Sequence, residues 1–212
     1  MRFRVLVVCA ALRTNLTLRE LAAIAQISKS SVHRIVANLV PALATLANAH
    51  VVSHDRRRTW IVDGTLVPTR DHGYAARSKN YRWSCNAQLL VCHRDLRVVA
   101  TTAGGPGNRN DPYHYRGSDV AHRAREHGRV LADGGYRGVD ELVTPRFRKN
   151  KIVRDYRWRR HRKRRARVEH AIARLKNWRV LRDHRRRGQH LPHTFAAVAF
   201  LHNLQVEMRD KP

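Results

Sequence analysis

Apolar residues near the start of the chain recur at helical intervals. Val5 to Leu12 form an apolar run behind basic residues, which predicts a first helix. Thr17-Leu-Arg-Glu20 carries the capping-box pattern, a hydroxyl followed three positions later by a carboxylate, ahead of Leu21, Ile24 and Ala25. A polar turn around Gln26 to Ser28 follows. Val32, Val36 and Leu39 then form a second helical stripe, with Ser28 as its N-cap and Pro41 as its end or a kink within it. Two short helices across a tight turn predict a helix-turn-helix. Its second helix offers Lys29, Ser30, Ser31, His33, Arg34 and Asn38 to a DNA groove. A helical hairpin serving only as packing has the same pattern.

Beyond a polar connection ending in Arg56-Arg57-Arg58 the period changes. Trp60-Ile61-Val62 reads as a short buried strand stopping at Asp63-Gly64-Thr65, and Pro68 to Trp83 is polar and irregular. Asn86 to Cys92 and Leu96 to Thr101 predict a β-hairpin around His93-Arg94-Asp95. Gly104 to Gly117 reads as loop and Ser118 to His127 as a short helix. Val130-Leu131-Ala132 is a second buried strand, again ending in an acid, at Asp133-Gly134-Gly135. Pro192 to Met208 is a last helix with one apolar side. This order predicts an α/β fold, a mixed sheet flanked by helices, behind a small all-α unit: residues 1–50 as the helix-turn-helix and 56–208 as the larger domain.

Charge narrows the partner. The 212 residues hold 43 Lys and Arg against 16 Asp and Glu, a net +27 with His neutral. Such self-repulsion is tolerable beside a polyanion, and nucleic acid is the commonest one. An anionic membrane is the competitor, but no long amphipathic lysine-rich helix supports it. No stretch approaches the roughly 20 apolar residues of a membrane span. The cysteines, Cys9, Cys85 and Cys92, are odd in number and form no C-x-x-C pair, so the expected setting is reducing and cytoplasmic, in association with the nucleoid.

The most basic stretch, Arg162 to Lys176, has a lone carboxylate, Glu169, in its middle. Val168, Ile172 and Leu175 give it a helical stripe. Arg165 lies one turn before Glu169, and Lys176 nearly two turns after it on the same face. Upstream, Arg157 to Arg167 holds seven Arg and one Lys in eleven positions, a track for phosphates leading to Glu169. A right-handed crossover sets the second acid-bearing strand parallel beside the first, about 4.8 Å away. Asp63 and Asp133 then lie at matching strand ends, with Glu169 brought in by a helix. Three hard oxygen donors suit Mg²⁺ or Mn²⁺. Two such ions activate a nucleophile and stabilise the leaving oxygen of a phosphodiester.

These residues resemble the DDE transposases of bacterial insertion sequences, closest to the insertion-sequence-5 type. Val62-Asp-Gly-Thr65 resembles the first-acid motif and Ala132-Asp-Gly-Gly-Tyr136 the second. Arg165, Glu169 and Lys176 fill the third, in which three residues separate Arg from Glu and six separate Glu from Lys. The last two acids stand 36 residues apart (169 − 133), a compact spacing, and Asn86-x-Gln88 is similar to a further family feature. The resemblance runs from about Thr59 to Gln205 and implies an RNase H-like catalytic core. It implies that Asp63, Asp133 and Glu169 are the catalytic, metal-binding acids for two ions of Mg²⁺ or Mn²⁺, and that Arg165 and Lys176 contact the DNA end. Arg162 stands where the family often has Tyr, and Asn110 where relatives commonly have His before the Asp. Arg162 is therefore read as a phosphate contact. The implied activity is cut-and-paste movement of double-stranded DNA by a homodimer, acting on terminal inverted repeats and a target. A non-catalytic DNA-binding protein and a nuclease without strand transfer are the alternatives.

Overall fold

The computed structural model describes residues 1–49, 57–78 and 82–210. The expected connection at 51–56, with Arg56, and the proposed boundary at residue 50 lie outside the described residues. Three helices open the chain: α1 (Arg2–Thr14), α2 (Leu18–Ala25) and α3 (Lys29–Ala49). The capping box is formed. Glu20 N–H donates to Thr17 Oγ1 (3.2 Å), and Thr17 N–H donates back to Glu20 Oε2 (2.7 Å). Gln26 takes a left-handed conformation to end α2, and Ser28 Oγ caps α3 by accepting from Ser31 N–H (3.1 Å). Of the two readings of Pro41, an end or a position within the helix, the second holds: α3 continues through it to Ala49. Val36, Val40 and Ala44 keep that helix's apolar face buried on both sides of the proline.

One mixed sheet follows. It contains β1 (Trp60–Pro68), β2 (Ala76–Arg77), β3 (Trp83–Cys92), β4 (Val98–Pro106), β5 (Val130–Leu131) and β6 (Leu142–Val143). β1 and β3 are antiparallel along nine residue pairs, and β4 and β2 share the far edge of β3. β5 lies parallel to β1, and β6 parallel to β5. The first strand therefore does not stop at Asp63. Its full-length ladder with β3 carries it on to Pro68 and leaves Asp63 inside it. The segment read as loop, Gly104 to Gly117, instead extends β4 and forms a short α4 (Asp111–Tyr115), capped by Asn110 Oδ1 on Tyr113 N–H (3.1 Å). Helix α5 (Asp119–His127) begins at its Ser118 cap and stops at left-handed Gly128.

A two-residue hairpin, β7 (Phe147–Arg148) and β8 (Lys151–Ile152), precedes α6 (Tyr156–Lys176). Its turn, Lys149-Asn150, has positive φ at both positions, the twist that suits tight hairpins. The last helix is α7 (Leu191–Asp210).

Alternation along the strands divides the core into two layers. Ile61, Val67, Cys85, Ala87, Leu89 and Val91 pack with α1–α3, α6 and α7, while Trp60, Val62, Leu90 and Cys92 pack with Tyr115, Val120, Ala124 and Tyr136. The N-terminal helices thus share a hydrophobic cluster with the sheet. α7 is sealed to β4 by Asn203, which accepts from Val98 N–H (2.8 Å) and donates to Val98 C=O (2.8 Å), both buried. Asn203→Ala orphans both groups and is expected to cost about 2–4 kcal/mol. Urea unfolding of the two proteins measures this, and a loss under about 1 kcal/mol contradicts the assignment.

Candidate active site

The parallel pairing of β1 with β5 brings the first two acids to the same end of the sheet. Trp60 faces Val130 and Ile61 faces Leu131, so Asp63 and Asp133 each lie two residues past the last paired position. Asp63 points to the α6 face of the sheet, as Ile61 and Val67 do. Asp133 caps the short turn Gly134–Tyr136 by accepting from Gly135 N–H (2.8 Å).

Glu169 comes from α6, whose stripe of Val168, Ala171 and Leu175 is buried against the sheet. The link across to it is Arg165. Its Nη1 donates to Asp63 Oδ2 and its Nη2 to Glu169 Oε1, both at 3.0 Å. The Asp63 side chain keeps only 14 % of its surface in solvent, against 62 % for Glu169. Burial accordingly pushes the Asp63 carboxyl up to about 6; Arg165 pulls it down, and the charges of Asp133 and Asp111 push it further up. Lys176, half-buried further along β1, donates from Nζ to the Leu66 carbonyl (3.2 Å), and burial followed by Arg182 lowers its pKa.

The donor set is all carboxylate oxygen, and around Asp63 it concentrates negative charge that Arg165 opposes. That chemistry fits a divalent cation. The geometry is not closed, however. Among the described residues no three His, Cys, Asp or Glu side chains stand close enough to hold one ion. Arg165 stands between two of the acids, bonded to one oxygen of Asp63 and one of Glu169.

The other expected contacts divide. Lys29, Ser30, His33, Arg34 and Asn38 are exposed on α3, whereas Ser31 is half-buried and bonded to Ser28 Oγ (2.9 Å) in the cap. On α6, Arg157, Arg159, Arg160, Arg162 and Lys163 are exposed, and the Arg162 guanidinium lies over the Trp158 ring (5.5 Å). Arg167 is structural, donating to the carbonyls of His93 (2.6 Å) and Arg94 (3.1 Å) in the β3–β4 turn.

Sequence reasoning passed over Asp111 as a neighbour of this site. Its Oδ1 accepts from Asn86 Nδ2 (2.8 Å) and Gln88 Nε2 (2.9 Å). A Cβ on Gly64 would fall 2.0 Å from that same oxygen, so only glycine after Asp63 lets Asp111 approach. The available signal was an amide, Gln88, in the middle of an apolar strand.

One acid within a strand, a second just past the end of the adjacent parallel strand and a third on the covering helix define a class. The chain belongs to the DDE superfamily of endonucleases, whose family pattern it matches over residues 62–203. Residues 3–41 match the IclR helix-turn-helix domain. The chain is 42 % identical over 210 residues to a Streptomyces albus G protein described as "Putative transposase for insertion sequence element IS112", covering 96 % of this chain and 79 % of that one. Among the described residues no helix is long and apolar enough to cross a membrane.

The raised Asp63 pKa has a stability consequence. The native state holds that proton more tightly than the unfolded chain, so stability falls as pH rises from about 4 to about 6, and the penalty is full above that. Without divalent metal at pH 7.5, Asp63→Asn removes a penalty of roughly 3 kcal/mol and is expected to raise the melting temperature by on the order of 5–10 °C. At pH 4 the difference should shrink towards zero. An unchanged or lower melting temperature at pH 7.5 contradicts the burial argument.

Proposed function

We propose that this protein is a DNA transposase that cleaves DNA at the ends of an insertion sequence and transfers the freed strand into target DNA. The observation that carries this is that Asp63 and Asp133 each follow the last pair of the parallel β1–β5 ladder by two residues, with Glu169 tied to Asp63 through Arg165. In this reading Asp63, Asp133 and Glu169 hold two divalent ions, Mg²⁺ or Mn²⁺. When bound, such ions activate the attacking oxygen and stabilise the leaving one at the scissile phosphodiester.

The protein's own residues prepare that chemistry. Arg165 is the exchangeable partner: a DNA phosphate takes its guanidinium bidentately, and the Asp63 and Glu169 oxygens come free together. Burial of Asp63 keeps the site short of water and strengthens the attraction between its carboxylate and any cation. Lys176, anchored on Leu66 C=O, stands beside the same strand to meet a neighbouring phosphate. Arg162 and the exposed cations before it extend a phosphate track along α6. Residues 1–50 grip duplex DNA through Lys29, Ser30, His33, Arg34 and Asn38. Ser31 supports that surface by closing the helix cap. Residues 56–208 carry out cutting and joining, and two copies bring two DNA ends together, in the nucleoid where the substrate lies.

Supercoiled-plasmid nicking with Mg²⁺ tests the activity. Asp63→Asn and Asp133→Asn are each expected to lower the rate roughly 100-fold or more, beyond the loss typical when only a ligand's support is removed. Equal nicking by wild type and variants removes the proposed site. DNA binding by wild type without Mg²⁺-dependent cleavage favours a non-catalytic DNA-binding protein instead. Cleavage without joining favours a plain nuclease.

Affinity for DNA should fall steeply with salt. Six or more phosphate contacts give a log–log slope of about −5 or steeper, measurable by titration at several salt concentrations. A flat dependence rules out the phosphate track.

A further inference from the structure

The pairing of β1 with β5 ends before the acids. Ile61 and Leu131 are the last partners, so no rung of that ladder fixes Asp133 relative to Asp63. Asp133 instead sits on the turn Gly134–Tyr136, which it caps. Whatever holds that turn sets the spacing of the two acids.

The turn is held from the reverse face of the sheet. Tyr136, fully buried and edge-on to Tyr115 (5.7 Å between ring centres), donates its hydroxyl to Gln88 Oε1. Gln88, also fully buried, donates from Nε2 to Asp111 Oδ1 (2.9 Å) and Asn86 Oδ1 (2.8 Å). A carboxylate only accepts, so Asp111 fixes the amide with its nitrogen towards Asp111 and its oxygen towards Tyr136. Gln88 also lies directly opposite Gly64, the residue after Asp63, in the β1–β3 register. One buried amide thus spans the strand of the first acid and the turn of the second.

We propose that Gln88 is a positioning residue of this site: with its amide oriented by Asp111, it ties Tyr136, and hence the turn bearing Asp133, to the strand that bears Asp63. The role rests on the metal-holding reading of those acids for its effect on activity, while the mechanical link stands on the contacts alone. An apolar side chain at 88 could fill the strand interior but could not hold the tyrosine hydroxyl.

The test uses the full chain, with Tyr136→Phe, which removes the hydroxyl and keeps the ring, and the double variant Gln88→Glu with Asp111→Asn. In the double variant the new carboxylate accepts from both Tyr136 and the new amide, so the link persists and the number of acids is unchanged. Metal-free hydrogen exchange is read on peptides covering 133–136 and, as control, β1 and β3. Mn²⁺ affinity is read from the electron-spin signal of free Mn²⁺, and cleavage is resolved into kcat and KM. Tyr136→Phe should speed exchange in the turn about tenfold or more with the strands unchanged, weaken Mn²⁺ binding about 10–100-fold, and lower kcat with KM for DNA constant. Asp111→Asn alone, which leaves the Gln88 amide unoriented, should shift all three the same way, and adding Gln88→Glu should return them towards wild type, an outcome that a loss of packing alone does not produce. Turn exchange and Mn²⁺ affinity within twofold of wild type in Tyr136→Phe overturn the proposal, as does a double variant no better than Asp111→Asn alone. If wild type binds no Mn²⁺, the metal-holding reading falls, and the exchange comparison still decides whether Gln88 fixes the turn.

Discussion

The ion pair that Arg165 makes with Asp63 and Glu169 governs the molecule as it stands. A carboxylate in the interior of a sheet strand, short of water and close to two more carboxylates, needs a cation. Arg165 supplies one from the helix laid across the strand, and its second nitrogen reaches Glu169. The same fork that makes the buried acid tolerable ties Glu169 to it. A guanidinium binds carboxylate and phosphate with one geometry.

The fold supplies the rest of the frame through strand parity. Odd-numbered residues of β1 and β3 face α6 and α7, and even-numbered ones face Tyr115 and Tyr136. Asp63 therefore meets Arg165 on one face, while Gly64 and Gln88 meet Asp111 and Tyr136 on the other. The two faces of β1 thereby carry different partners. The basic surface belongs to a third layer of function. Exposed cations on α3 and α6, on a chain of net +27, provide long-range attraction for a polyanion and little stability to the fold.

Much of this was legible in the residues. The capping box at Thr17 and Glu20, the cap at Ser28, the hairpin around Arg94 and the apolar starts of the two strands that precede Asp63 and Asp133 each have short-range causes, and local signals suffice for them. Pro41 left an end or an interior position open, and the long apolar face outweighs one missing helical hydrogen bond. The stop at Asp63 misled because a half-buried antiparallel ladder carries a strand past polar residues and a glycine. Asp111 was passed over for a different reason. Its place beside Gly64 depends on three segments meeting, and nothing in its own surroundings in the chain encodes that meeting. The occupation of the site by Arg165 was likewise hidden, since spacing gives the helical face of a side chain but not which carboxylates it bonds.

The central claim is that Asp63, Asp133 and Glu169 hold divalent metal once Arg165 lets go. Anomalous diffraction from crystals grown with Mn²⁺ and a short duplex tests it most directly. The account predicts Mn²⁺ peaks against the oxygens of Asp63, Asp133 and Glu169, with the Arg165 guanidinium turned onto a DNA phosphate. Peaks elsewhere, or none while Arg165 still bridges Asp63 and Glu169, would contradict it.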